Sequence, residues 1–244
     1  MNPVAEGRLD PSSPGGRPVF WAATGRSGGF STGAFSSLNL AGHVGDDPAC
    51  VAANFSALSS DFGGVGLAVL DACHGGEVAV VESPGVYSGV DALVSVTPGL
   101  GLVALAADCV PVALADRQGT VIAAVHCGWK GLGAGVVSAA VSVMRAHGAR
   151  GIRAVVGPSI CASCYPVPLE RVSLLRAAVH PVVAAAAIPT GVSPRINVSG
   201  GVVAQLSLLG IPASVVPGCT AERSDLFSYR RDGVTGRQGI AVRM

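Results

Sequence analysis

Lysine is nearly missing: Lys130 is the only one among 244 residues, and charged residues of all kinds make up just 13% of the chain. The formal net charge is +1, and no basic stripe interleaved with aromatics occurs, which argues against nucleic-acid binding. Aromatics are scarce at 5%, so the core has to be assembled mainly from Ala, Val and Leu. Long apolar runs are lacking too. The longest, 102–115 and 177–188, fall short of the ~20 residues of a spanning helix. Asp108 interrupts the first, and His180 and Pro181 interrupt the second. Residues 1–17 are rich in Pro, Gly and Ser and have no apolar h-region, so they read as a disordered N-terminal tail rather than a signal peptide. Seven cysteines, an odd number, without a secretory segment argue for reduced thiols over a disulfide framework. These absences point to a soluble, cytoplasmic protein with no membrane partner, its oligomeric state open between monomer and dimer.

Half the residues are hydrophobic, enough for a sizeable core over 18–244. Apolar runs predict strands at 20–24, 67–72, 77–81, 102–107, 110–115, 121–125, 152–156, 213–216 and 240–243. Asp46-Asp47-Pro48 predicts a helix start, an acidic cap followed by proline in the first turn, running to about residue 60. Further helices are predicted at 132–147, with Gly148 as C-cap, and at 169–179 and 201–209. Hairpin-like strand pairs with interspersed helices favour an α+β class: one layered domain of mixed β-sheets flanked by helices.

Three side chains stand at the ends of separate apolar runs: His74, Cys109 and His126. A thiolate and two imidazoles suit zinc with one position left open. They equally suit a Cys–His nucleophile pair with a bystander histidine. Asp108, inside an apolar run, needs a partner, and it is a candidate acid–base group because the zinc-deaminase H-x-E and P-C-x-x-C signatures are absent. Cys73 and Cys127 adjoin the two histidines, and strand alternation turns them away from any metal, as small buried hydrophobes. Cys161-Ala162-Ser163-Cys164 is a lone C-x-x-C; a structural zinc wants a second ligand pair, and Cys219 alone does not provide one. Arg230-Arg231 reads either as a solvated turn or as reaching the site.

In order along the chain, His74-Gly75, Ala107-Asp108-Cys109-Val110-Pro111 and His126-Cys127-Gly128-Trp129-Lys130-Gly131 resemble the laccase-domain family. That family is known variously as multicopper polyphenol oxidases, peptidoglycan editing factors and YfiH-like proteins. The opening loop 24–31, the 37–40 and 43–48 segments, Gly157-Pro158 with Cys164-Tyr165, and 227–233 with 235–237 resemble its other signatures. The resemblance implies a YfiH-like (cytotoxic-necrotizing-factor-like) fold and zinc on His74, Cys109 and His126, with copper as the older alternative. It implies phosphorolysis of purine nucleosides (adenosine, inosine, with methylthioadenosine a further candidate) alongside adenosine deamination, so nucleoside and phosphate are the expected small-molecule partners. Cys109, His126 and Asp108 would then be catalytic, and Arg26, Asn39, His43, Lys130 and Tyr165 would bind substrate or phosphate.

Five positions depart from the family pattern. Ala72-Cys73 stands where Gln-Val precedes the first histidine, Cys127 and Lys130 replace alanine and arginine, and Pro166 replaces a glutamate. Lys130 keeps the charge but loses bidentate geometry. The competing readings are a Cys–His hydrolase editing cell-wall precursors, copper-dependent phenol oxidation, and a non-catalytic envelope partner. Five histidines are too few for a full multicopper oxidase.

Overall fold

The computed structural model describes residues 3–12, 14–191 and 193–244. Its strands form two six-stranded mixed sheets. The first contains β1 (Ala5–Leu9), β2 (Val19–Ala23), β3 (Gly66–Asp71), β5 (Gly85–Ser88), β7 (Leu100–Ala106) and β12 (Gln238–Arg243), in the order β1-β2-β12-β7-β3-β5. The second contains β4 (Val78–Val80), β6 (Ala92–Ser95), β8 (Val110–Ala115), β9 (Ile122–Cys127), β10 (Arg153–Val156) and β11 (Ala213–Val215), in the order β11-β10-β8-β9-β6-β4.

Strand alternation sorts the core into three layers. On β7, Leu102 and Ala104 face the second sheet, while Val103 and Leu105 pack with α1 (Pro48–Asp61) residue Leu58 on the outer side. On β9, Ile122 and Ala124 face the first sheet, whereas Ala123, Val125 and Cys127 face the helices α2 (Trp129–Ala134), α3 (Val136–Ala146), α4 (Leu169–Ala178), α5 (Pro181–Ala187) and α6 (Val198–Leu208). The central strands are therefore buried on both faces, which is why they read as continuous apolar runs rather than alternating ones. The architecture is helix, sheet, sheet, helices, the layered α+β class expected.

Helix α1 starts as the sequence predicts, with the Asp47 carboxylate accepting from the Ala49 N–H at 2.8 Å and Pro48 in the first turn. The predicted helix 132–147 is two helices instead, broken at Gly135, whose φ of 75° only glycine adopts readily. The expected tail is also corrected in part. Residues 5–9 pair antiparallel with β2, from Ala5 opposite Ala23 to Leu9 opposite Val19. Ala5 and Leu9 pack on the inter-sheet core, and Gly7 lies against the Trp21 ring where any side chain would collide. Farther along, the Arg17 N–H donates to the Gln118 carbonyl. β5, β6, α5 and the short α7 (Tyr229–Asp232) were not predicted.

The connectivity that matters for function is the crossing between sheets. The chain passes from the first sheet to the second three times, and two of these passages carry the site: residues 72–77, between β3 and β4, and residues 107–109, between β7 and β8. His74 lies in the former and Asp108-Cys109 in the latter.

Candidate functional site

His74 and Asp108 are the only non-glycine residues with positive φ among the described residues, at 64° and 94°. Such backbone is strained by about 1–3 kcal/mol and persists only where the surroundings enforce it. Here both sites of enforcement are visible. The fully buried Asp91 carboxylate accepts from the His74 N–H at 2.8 Å, the Gly75 N–H at 2.6 Å and the Cys73 thiol at 3.0 Å. The Asp108 carboxylate accepts from the Thr220 hydroxyl at 2.6 Å, the Ser228 hydroxyl at 2.7 Å and the Arg230 N–H at 2.7 Å. Two acidic side chains, Asp91 fully buried and Asp108 half-buried, thus pin these two crossings. The Asp91 carbonyl also accepts from the His126 N–H at 2.8 Å, so one residue registers both histidines.

The donor atoms of His74, Cys109 and His126 converge to within 4.8 Å of one another, and the two imidazoles stand edge to face with centroids 4.9 Å apart. His126 projects from β9 toward the first sheet, where its Nδ1–H donates to the Leu105 carbonyl at 2.7 Å. That bond fixes the tautomer and aims the Nε2 lone pair at Cys109 and His74. Nε2 is buried with no hydrogen-bond partner among the described residues. An orphaned imidazole nitrogen beside a thiol and a second imidazole is what a metal ligand set looks like before the ion is counted. Gly128 permits the approach: a Cβ there would sit 3.0 Å from the Cys109 sulfur.

The electrostatics weigh against a Cys–His nucleophile. Burial, then the neighbouring Asp108 charge, pushes the Cys109 thiol up to about 12, and burial pulls His126 down to about 4. A nucleophilic cysteine requires the opposite shift and a thiol hydrogen-bonded to its base. A bound cation inverts the balance, because it deprotonates a coordinating thiol outright.

The trio opens onto a cavity of about 400 Å³, within the range of small-molecule sites. Of the substrate residues expected from sequence, His43 and Tyr165 line it. The others do not. Arg26 braces a loop, its guanidinium donating to the Ser36 carbonyl at 3.0 Å and lying over the Phe227 ring. Asn39 is fully buried, its side-chain oxygen accepting from the Ala41 and Arg237 N–H groups. Lys130, at the start of α2, is exposed and off the cavity. Asp108, the acid–base candidate, lines the cavity, and its engagement by three donors anchors the Thr220 and Ser228 segments to it.

Sequence reasoning missed two of the cavity's arginines, Arg171 and Arg237, and left Arg230 open between a solvated turn and the site. Arg171, Arg230 and Arg237 all line it, with Trp129 and Tyr229. Arg230 lies over the Tyr165 ring at 4.9 Å and Arg171 over Trp129 at 5.0 Å. Arg237 is held by its own Thr235 and Gly236 carbonyls, and burial lowers its pKa. Arg231 instead caps the neighbouring turn, donating to the Thr220, Arg223 and Leu226 carbonyls. Cys127 faces the helix layer as expected, but Cys73 is exposed rather than buried.

With this geometry in hand, the family profile of multi-copper polyphenol oxidoreductase laccase matches residues 20–244. The chain belongs to the laccase-domain family. It is a family of enzymes, and this member resembles a purine nucleoside phosphorylase of Streptomyces griseus at 44% identity, covering 89% of this chain and 91% of that one. A purine nucleoside phosphorylase of Streptomyces coelicolor is 46% identical, over 88% and 90%. Among solved structures, YfiH of Bacillus licheniformis superposes with a TM-score of 0.84 at 28% identity, covering 93% and 92%. A Neisseria meningitidis protein superposes at 0.81 and 31%, covering 98% of both chains. The laccase-domain fold thus extends over essentially the whole chain, and among the described residues no helix is long and apolar enough to cross a membrane.

Proposed function

We propose that this laccase-domain protein is a purine nucleoside phosphorylase, cleaving adenosine or inosine with phosphate to free base and ribose 1-phosphate, with adenosine deamination as a side activity. The observation that carries the reading is the orphaned His126 Nε2, set with Cys109 and His74 at the wall of an arginine-lined cavity. The names of the Streptomyces relatives agree with it. Zinc held by His74, Cys109 and His126 would supply Lewis acidity at that wall, three protein donors leaving one position open.

The chain's own groups divide the remaining work. Arg171, Arg230 and Arg237 are the phosphate-binding candidates in place of Arg26 and Lys130, since guanidinium forks match phosphate oxygens bidentately. Trp129, Tyr165 and Tyr229 offer aromatic faces to a purine, and His43 sits at the rim. Asp108 positions the Arg230 backbone by accepting its N–H.

The test is direct. Protein of measured zinc and copper content is given inosine or adenosine, with and without phosphate, and base and ribose 1-phosphate are separated by chromatography. Phosphate-dependent release of both is expected. No release from zinc-loaded protein sinks the reading.

A further inference from the structure

A second ligand cluster lies outside this site. The sulfurs of Cys161, Cys164 and Cys219 and a carboxylate oxygen of Glu222 all fall within 4.8 Å of one another. The lone C-x-x-C does find a partner pair, Cys219-x-x-Glu222, whose last member is a carboxylate and so escapes a search for cysteines. We propose that these four residues form a closed, structural zinc site, separate from the His74–Cys109–His126 centre.

The fold brings the pairs together through adjacent parallel strands. β10 and β11 pair in parallel, and the pairing continues past their ends as a bridge between Ser159 and Cys219, with the Thr220 N–H donating to the Ser159 carbonyl. Cys161 caps a 3-10 turn over Ala162–Cys164 that presents both thiols on one side. Opposite it, the Glu222 and Arg223 N–H groups donate to the Cys219 carbonyl, folding residue 222 back over residue 219.

The distances suit an ion. Zinc–sulfur bonds near 2.3 Å and zinc–oxygen bonds of 2.0–2.2 Å at the tetrahedral angle place S and O about 3.5–3.7 Å apart. The Glu222 oxygen lies 3.3 Å from the Cys164 sulfur and 3.7 Å from that of Cys161. The Cys161 N–H donates to the Cys219 sulfur at 3.3 Å, the kind of outer contact that orients a thiolate ligand. Glu222 makes no ion pair among the described residues, so no arginine or lysine neutralises a carboxylate set among three thiols. Three soft sulfurs favour zinc over magnesium or calcium, and four protein ligands leave no open position for chemistry. The ion would clamp the turn whose Thr220 hydroxyl holds Asp108.

The test counts zinc per chain by elemental analysis in protein purified without added metal. About two are expected in the wild type, one in His126→Ala, one in Cys164→Ser and none in the double variant. One zinc in the wild type, none in His126→Ala and one in Cys164→Ser would overturn the second site and leave the functional reading standing. One, one and none would do the reverse. A readout on the unaltered chain guards against misfolding of Cys164→Ser. Alkylation mapped by mass spectrometry should spare Cys161, Cys164 and Cys219 until a chelator is added. Labelling unchanged by the chelator, or a Cys161–Cys164 disulfide in fresh protein, overturns the proposal. Glu222→Cys completes an all-sulfur set and should slow zinc loss to a chelator at least ~10-fold; an unchanged rate removes Glu222 as the fourth ligand.

Discussion

Replacing Asp91 with alanine tests whether the zinc-capable trio is held by its buried support or merely sits where the strands leave it. The substitution removes the acceptor for the His74 and Gly75 N–H groups, at 2.8 and 2.6 Å. Each is a charge-assisted bond worth about 1.5–3 kcal/mol. Both donors lie in a partly exposed loop, where water replaces part of the loss. The net destabilisation is therefore on the order of 2–4 kcal/mol, since His74 also loses what enforces its positive φ. At about 2–4 °C per kcal/mol for a chain of this size, Tm should fall by roughly 5–15 °C. Zinc affinity should fall in parallel, about 10–100-fold, the usual effect of removing an outer partner of a ligand. Calorimetry reads the first effect, and competition with a chromophoric chelator on Cys164→Ser protein, where the other cluster is disabled, reads the second. Asp91→Asn, which keeps one acceptor oxygen, should fall between. A Tm within ~1 °C of wild type together with unchanged zinc affinity would show that Asp91 does not hold the His74 loop.

Acid should act through His126. Its folded pKa of about 4 lies below the ordinary 6.5, so the unfolded chain binds the proton first. Stability of the metal-free protein should be full above pH ~6.5 and decline as pH falls toward ~4, by on the order of 3 kcal/mol; denaturant melts over that window, flat in His126→Gln, check it. Arg237→Ala should raise the KM for phosphate at least ~10-fold with zinc content unchanged, whereas Lys130→Ala should stay within about twofold of wild type, since only Arg237 lines the cavity. Steady-state kinetics at varied phosphate separate the two. Ala72→Gln restores the family's usual residue at a cavity-lining position, and it should shift kcat/KM for adenosine relative to inosine by about 1–2 kcal/mol if that amide contacts the purine; an unchanged ratio places residue 72 out of reach of the base.

The strands were legible because both faces of β7, β8 and β9 are buried, and two-sided burial writes an uninterrupted apolar run. The metal-capable trio was legible because its members close such runs. What escaped notice belongs to contacts between distant segments. Asp91 sits in a short strand region that reads as loop, and nothing local says its carboxylate reaches back to residue 74. Arg171 and Arg237 are ordinary arginines until α4 and the approach to β12 bring them to one cavity. β1 was hidden by its Pro-, Gly- and Ser-rich surroundings, although Ala5, Gly7 and Leu9 already alternate inward. Glu222 escaped because a spacing rule written for cysteine and histidine does not admit a carboxylate as the fourth ligand.

The structure also sorts the positions at which this chain departs from its family. Lys130 is exposed, so the loss of bidentate geometry there changes nothing inside the cavity. Pro166 acts through its backbone, its carbonyl accepting from the Arg230 guanidinium at 3.3 Å, a bond that any residue at 166 offers. What a glutamate side chain would add at 166 is a carboxylate beside Arg230, and its absence leaves that guanidinium over Tyr165 and without a carboxylate partner among the described ion pairs. An arginine lacking an acidic partner at the wall of a cavity is better placed to take an anion from solution than one already paired. The departure at 166 therefore favours the phosphate role proposed for Arg230, and Ala72 is the one substitution left whose side chain alters the surface a nucleoside would touch.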